Sequence, residues 1–203
     1  MNQFRRSLLL APIALAVLGR SAVAQAVSLQ DISTYLTNIS TASGTFRQSN
    51  ADGTISTGRI YIKRPGRIRF EYDPPERSLV VAGGGAVAIF DGRSNEGPQR
   101  FPIGQTPLGL ILGRKVDLTQ SDMVTDVRTA GGHTLVTAQD PAHPEYGAIT
   151  LAFTNAPLDL VEWVMVDGAG GQTRIELANM EYGGSISDSL FNLIAITEQW
   201  GRG

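Results

Sequence analysis

Residues 58–72, which read GRIYIKRPGRIRFEY, decide the fold. Apolar residues recur at every second position on both sides of a central Pro65-Gly66 pair. A strand places alternate side chains on opposite faces, so Ile60, Ile62 and Arg64 share one face of the first half. The stretch therefore predicts a hairpin of two half-buried antiparallel strands that turns at Pro65-Gly66.

Similar runs recur at short intervals along most of the chain and are separated by turn residues. Besides the hairpin, the predicted strands are residues 44–48, 79–82, 86–90, 134–138, 148–154, 161–166 and 173–180. Nine or ten strands of this kind predict one antiparallel sheet. A sheet of that size curls, because the twist between neighbouring strands accumulates.

Two segments depart from the strand pattern. Ser28 and Asp31 form a capping-box pair ahead of apolar residues that recur three and four positions apart up to Ile39, which predicts a helix with one apolar stripe. Pro107 and Gly113 bracket a short apolar segment, which predicts a second helix. This helix is too short to be stable alone, so we expect it to lie over the sheet.

The first 24 residues have the layout of a secretory signal peptide. Arg5 and Arg6 supply a positive start, residues 7–18 form an apolar run too short to span a bilayer, and Ala22-Val23-Ala24 fits a signal peptidase site. The paired arginines suit the twin-arginine route and an ordinary secretory signal equally well. We expect a mature chain of one domain, residues 25–203. Export without any Cys favours a bacterial periplasm.

Composition excludes several function classes. Lys and Arg number 17 against 19 Asp and Glu, and the net charge of -2 disfavours a nucleic-acid partner. With no Cys there is neither a thiolate nucleophile nor a Cys-ligated zinc site. A lipid-active hydrolase is disfavoured because the chain lacks a Gly-x-Ser-x-Gly elbow. The two histidines are His133 and His143, and His143 with Asp140 and Glu145 indicates a solvated loop rather than a metal site. We therefore expect no catalytic residue, metal or cofactor, and thus no enzyme.

Five motifs carry a family resemblance. They are Phe46-Arg47-Gln48, the hairpin extended to Pro75, Leu79-Val80-Val81, Val87 with Ile89-Phe90-Asp91, and Thr106-Pro107-Leu108 with Leu110-Ile111. With these motifs the chain resembles the outer-membrane lipoprotein carrier family, LolA, from about Leu29 to about Asn192. The resemblance is densest over residues 63–72.

The resemblance implies a mainly β (α+β) fold, a curled, half-open antiparallel sheet or barrel with an N-terminal helix and short lid helices that enclose an apolar cavity. It implies a monomeric periplasmic carrier. Such a carrier accepts acylated lipoproteins from an inner-membrane ABC transporter complex and delivers them to the outer membrane, where a lipoprotein receptor is a further candidate partner. The fold also serves a receptor and a stress sensor, so two alternatives stay open: a lipoprotein-sensing regulatory module and a carrier of another lipid, such as a glycolipid.

Carrying an acyl chain poses a physical problem that an apolar sheet face can solve. About 14 buried methylenes lose about 11 kcal/mol on entering water, so a carrier must offer an apolar wall whose interior is left incompletely filled. The candidate wall is Phe46, Ile60, Ile62, Ile68, Phe70 and Tyr72, with Val80, Ile89, Trp163 and Met165 as further members. The candidate lid is Leu36, Leu108, Leu110, Ile111 and Leu112. From the alternation alone, the same residues fit the solid core of any sandwich or barrel.

Arg64 is singled out because its position gives it the same face as Ile60 and Ile62. An unpaired charge on an apolar face is costly, so the guanidinium needs acceptors, which the C-terminal carbonyls of a lid helix can provide. The alternative is a strand-end arginine that reaches water. The resemblance implies that Arg64 latches the lid in the empty state. On the opposite face, Arg59, Lys63, Arg67 and Arg69 form either a merely solvated surface or a basic docking surface for a membrane partner.

Overall fold

The computed structural model describes residues 27–94 and 96–200, so the predicted signal peptide lies outside the described residues. The strands are β1 (Thr41–Ser49), β2 (Ile55–Lys63), β3 (Arg67–Tyr72), β4 (Leu79–Gly83), β5 (Ala86–Phe90), β6 (Gln99–Pro102), β7 (Val124–Ala130), β8 (His133–Gln139), β9 (Ala148–Asn155), β10 (Leu158–Val166) and β11 (Gln172–Tyr182). The helices are α1 (Leu29–Asn38), α2 (Leu108–Leu112) and α3 (Leu193–Trp200), and short 3₁₀ turns cover Ile103–Gln105, Pro144–Tyr146 and Asp188–Phe191. No helix in these described ranges is both long and apolar enough to cross a membrane.

All eleven strands form one antiparallel sheet in the order β6-β5-β4-β3-β2-β1-β11-β10-β9-β8-β7. The predicted hairpin is confirmed: Ile60 pairs with Phe70, and Ile62 pairs with Ile68. The predicted mainly β fold is confirmed as an open sheet, since β6 and β7 stand at its two edges. These two strands account for the difference from the nine predicted runs.

The sheet curls strongly. Between β3 and β10 lie three other strands, so a flat sheet would separate them by about 19 Å at about 4.8 Å per step. The rings of Phe70 on β3 and Trp163 on β10 are instead 6.2 Å apart. The sheet therefore closes around an inner face, which carries Ile60, and leaves an outer face on its other side.

Each face has its own apolar cluster. On the inner face, residues of the sheet pack with α1 and α2, and this cluster includes Ile32, Ile60, Leu112 and Trp163. On the outer face, Leu79, Val81, Ala88 and Phe90 are covered by the chain's last described residues, including Phe191 and Ile196. The outer face of β4 and β5 is thus a second core and not a solvated surface.

Helix α1 begins as its sequence predicts. Ser28 is the N-cap, and its hydroxyl accepts a hydrogen bond from the backbone N–H of Asp31. Its apolar stripe turns Ile32 and Leu36 into the inner cluster, while the preceding backbone N–H of Val27 reaches the hydroxyl of Thr134 on β8. The helix therefore lies across one end of the curled sheet. Helix α2 belongs to the segment that runs from edge strand β6 to edge strand β7.

Candidate functional site

The predicted wall residues share the inner face, but they differ in burial. The buried members are Phe46 (3% exposed), Ile60 (0%), Ile62 (8%), Ile68 (0%), Phe70 (4%) and Trp163 (0%), while Tyr72, Val80 and Met165 are half-buried against the same cluster. Ile89 pairs with Val80 across β4 and β5 and so faces the same way, yet it is 38% exposed and lies outside the cluster. The sheet thus brings nine of the ten predicted wall residues into one apolar surface.

Aromatic rings organise the middle of this surface. Phe46 meets Phe70 at 5.2 Å and Tyr72 at 5.1 Å between ring centroids, with nearly perpendicular planes, and Phe70 meets Trp163. The hydroxyl of Tyr72 donates to Oε1 of Gln48 at 2.6 Å, and burial raises the pKa of Tyr72. These rings fix the curvature of the wall, because edge-to-face contacts link β1, β3 and β10 across the concavity.

Lid side chains pack into the space that the wall encloses. Leu108, Ile111 and Leu112 of α2 are 6%, 4% and 2% exposed, and all three pack into the inner cluster with Leu36 of α1. The side chain of Leu110 lies outside the described residues. A pocket beside the start of α2, lined by residues such as Pro107 and Ile149, has a volume of about 30 Å³.

The expectation of an incompletely filled interior stays a prediction, although the lid and wall side chains pack against each other in this conformation. The physical reason is that a short apolar helix gains its stability by burying its side chains, and α2 can bury them only in the concavity. The wall and the lid form one packed core here.

Arg64 makes the contact that its sequence position predicts. Its Nη2 donates to the backbone carbonyl of Gly113, which follows the last residue of α2. Two positions on, the backbone N–H of Gly66 donates to the carbonyl of Leu112 at 2.8 Å. Desolvation lowers the pKa of Arg64, and its Nε and Nη1 atoms are buried without a hydrogen-bond partner among the described residues. The turn between β2 and β3 thus holds the C-terminal end of the lid through two orphan helix carbonyls.

A second set of polar contacts ties α1 to the sheet and to the lid segment. Tyr35 donates to Oδ1 of Asp159 at 2.6 Å, Tyr182 donates to the same oxygen, and the two hydroxyls are 3.1 Å apart. Burial, reinforced by Asp159, raises the pKa of Tyr182 to about 12. On the neighbouring face of α1, the hydroxyl of Ser33 accepts a hydrogen bond at 2.9 Å from the backbone N–H of Leu118, which follows α2 in the chain. Helix α1 and the segment after α2 are therefore bonded to each other.

Sequence reasoning missed this α1 clamp, defined as Tyr35, Asp159 and Tyr182. Tyr35 and Asp159 are 124 residues apart in the chain, and Tyr182 follows 23 residues after Asp159. No local spacing connects them, because the packing of α1 on β10 and the pairing of β10 with β11 bring them together. The half-apolar character of tyrosine was the available signal, since a buried hydroxyl needs a partner.

The basic outer surface is not free. Nζ of Lys63 and Nη1 of Arg67 both pair with Oδ1 of Asp188, at 2.7 and 2.5 Å, and Nη1 of Arg69 donates to the carbonyl of Leu190 at 2.9 Å. Arg59 remains exposed. Both expectations for this face, a solvated surface and a basic docking surface, are therefore wrong for three of its four residues, because the C-terminal segment uses their charges to bind the sheet.

The histidines contribute no candidate site. Nδ1 of His143 lies 3.0 Å from Oε1 of Glu145, and its ring stacks on Tyr146 at 4.7 Å between centroids. The backbone N–H of Glu145 and the imidazole of His143 lower the pKa of that exposed carboxyl. Within the described part of the chain, no group of three or more His, Cys, Asp or Glu side chains is placed to hold a metal ion.

Comparisons with known proteins agree with this architecture. The family model of LolA, described as outer membrane lipoprotein carrier protein, matches residues 37–194. An outer-membrane lipoprotein carrier protein from Chromobacterium violaceum is 25% identical over 85% of this chain and 86% of its own length. One from Leptothrix cholodnii is 25% identical over 89% of this chain and 88% of its own length. A solved domain from Vibrio parahaemolyticus, described as an outer membrane lipoprotein-sorting protein domain, shares the fold with a TM-score of 0.50 at 7% identity, covering 83% of this chain and 97% of that one.

Proposed function

We propose, since this chain belongs to the LolA family of outer membrane lipoprotein carrier proteins, that it carries acylated lipoproteins across the periplasm and shelters their acyl chains on the inner face of its sheet. The observation that carries this proposal is a packed apolar interior closed by a short helix whose end is held by Arg64 and Gly66. An inner-membrane ABC transporter complex would supply the cargo, and an outer-membrane lipoprotein receptor would accept it. The family's carriers perform no covalent chemistry, so the proposed role is transport without catalysis.

The exchange of lid for cargo gives the carrier its mechanism. When α2 swings away, the wall residues lose Leu108, Ile111 and Leu112 as neighbours, and acyl methylenes take over the same apolar contacts. Opening also breaks the bonds from Arg64 and Gly66 to the end of α2. Loading therefore breaks these bonds and delivery forms them again, so the latch favours release of the cargo.

Release from membranes tests the function directly. The purified mature protein is incubated with inner-membrane vesicles that contain the transporter complex and a labelled lipoprotein. A carrier releases intact lipoprotein in stoichiometric, soluble complex. Cleaved acyl chains would instead indicate a hydrolase, binding without release a sensing module, and extraction of glycolipid alone a carrier of another lipid; each of these outcomes would overturn the proposal.

An Arg64→Leu variant tests the latch. A hydrogen bond from a charged donor contributes about 2 kcal/mol, so its loss favours the loaded state more than tenfold. The variant should still accept lipoprotein from vesicles but should pass it to acceptor membranes with at least tenfold lower yield. Arg59→Leu replaces an exposed arginine on the preceding strand, β2; it is the matched control and should transfer normally. Normal handover by Arg64→Leu would refute the latch role.

A further inference from the structure

We propose that Asp188 is a positioning residue for the Arg64 latch, so that the C-terminal segment on the outer face stabilises closure of the lid on the inner face. Both attachments use the turn formed by residues 63–67. This inference rests on the proposed function for the meaning of lid opening, but the coupling itself is a property of the empty protein. It deepens the proposal by adding control of the lid from the opposite side of the sheet.

The turn binds the lid with its middle residues. Arg64 donates from Nη2 to the carbonyl of Gly113, and the N–H of Gly66 donates to the carbonyl of Leu112 at 2.8 Å. The backbone N–H of Arg64 also donates to the backbone carbonyl of Ser40 at 2.8 Å, which attaches the turn to the residue before β1. The direction in which Arg64 projects therefore depends on the backbone of this turn.

The same turn binds the C-terminal segment with its outer residues. Lys63 and Arg67 are directly paired across β2 and β3, and both contact Oδ1 of Asp188, at 2.7 and 2.5 Å. Lys63 also donates to the carbonyl of Ile186 at 2.7 Å. The bonds from Lys63 lower the pKa of the Asp188 carboxyl. Asp188 thus clamps the two residues that close the hairpin.

Charge explains why this clamp matters to the latch. Lys63, Arg64 and Arg67 place three positive charges within five residues, and like charges directly opposite each other on paired strands are destabilising. One carboxylate shared by Lys63 and Arg67 offsets their repulsion. Without it, the two cations separate and the turn between them rearranges, which moves the backbone that aims Arg64 at α2.

The coupling must act in both directions, because linkage between two equilibria is reciprocal. If Asp188 favours a closed lid, an open lid must weaken the attachment of the C-terminal segment. That segment covers Leu79, Val81, Ala88 and Phe90 on the outer face. A loaded protein should therefore open this outer cluster more often than an empty one does.

Hydrogen exchange at the Gly66 amide measures the latch without cargo. Asp188→Asn keeps the size of the side chain and removes its charge. Losing exposed ion pairs of this kind should raise Gly66 exchange about two- to fivefold. Asp188→Glu should restore exchange to near the parent rate. Glu176→Gln removes another ion pair of the outer face, to Arg47 at 2.6 Å, and should leave Gly66 unchanged.

Two results would overturn the inference. One is a Gly66 exchange rate in Asp188→Asn equal to that in Glu176→Gln. The other is acceleration spread evenly over the amides of β9 and β10, which would indicate global destabilisation. The reciprocal measurement adds a palmitoylated peptide to the parent protein and follows the amides of Leu190 and Ile196, whose exchange should rise. If the protein fails the vesicle assay but Asp188→Asn accelerates Gly66 exchange, the coupling stands and the proposed carrier function is wrong.

Discussion

Truncation of one lid leucine should separate opening of the lid from unfolding of the sheet. Leu112 on α2 and Leu151 on β9 are 2% and 0% exposed, and both belong to the inner cluster. Replacing a buried leucine by alanine costs about 3 kcal/mol, as transfer energy plus the cavity left behind. For Leu112→Ala we expect that cost to fall on the closed state of the lid, because the sheet keeps all its strand pairs when α2 leaves. An opening equilibrium should then shift by about two powers of ten.

Two measurements on each variant test this expectation. Binding of the fluorescent hydrocarbon diphenylhexatriene reports access to the inner wall under native conditions, and urea unfolding reports the stability of the whole sheet. Leu112→Ala should increase probe binding by up to about 100-fold and lower the urea midpoint less than the matched control Leu151→Ala. Equal losses of urea midpoint in the two variants, without added probe binding by Leu112→Ala, would show that α2 is a fixed part of the core.

Two further predictions concern the attachment of α1. Ser33→Ala removes the hydroxyl and leaves the buried N–H of Leu118 unpaired, which should cost about 1–3 kcal/mol of unfolding free energy in urea. The control Thr34→Ala, on the exposed side of α1, should cost less. Equal losses in the two variants would contradict the hydrogen bond between Ser33 and Leu118. The α1 clamp predicts alkaline sensitivity, because burial raises the pKa of Tyr182 from 10.0 to about 12. A raised pKa stabilises the fold fully below pH 10.0, and this contribution is lost as the pH rises through about 12. Tyr182→Phe should therefore lose less stability as the pH rises through about 12, and its titration of phenolate absorbance should lack the step that Tyr182 gives in the parent protein. A titration identical to that of the parent protein would contradict the raised pKa of Tyr182.

The parts of the fold that local sequence determines were predicted correctly. The β2–β3 hairpin has strict alternation around Pro65-Gly66, and α1 has a capping pair followed by a helical apolar stripe. The two edge strands were missed for a physical reason: an edge strand need not bury one face. Every residue of β7 after Val124 is exposed, so β7 shows no apolar alternation, and β6 is four residues long and ends in Pro102.

The candidate site was predictable only where one strand carries its own information. The parity of Arg64 with Ile60 indicated that its guanidinium needs an acceptor, and the structure supplies the carbonyl of Gly113. The contacts of Arg69 with Leu190 and of Lys63 with Ile186 span 121 and 123 residues. Nothing near either partner signals such a contact, so the basic side chains appeared solvated. Burial of an outer core depends on tertiary placement of the C-terminal segment, which periodicity does not encode.

An interior in which lid side chains pack against the wall suits a carrier better than a permanently open cavity would. Burying Leu108, Ile111 and Leu112 stabilises the closed lid by about 1.5–3 kcal/mol each, or roughly 5–9 kcal/mol together. One acyl chain with about 14 buried methylenes would regain about 11 kcal/mol from the same wall. The lid side chains therefore offset a large part of that gain, and exchanging lid for acyl chain favours the acyl chain by only about 2–6 kcal/mol instead of about 11. A permanently open cavity would hold the chain with the full 11 kcal/mol or so and release it slowly. The lid side chains compete for the wall and so lower that barrier to delivery, and the bonds of Arg64 and Gly66 to α2 then set the direction of transfer.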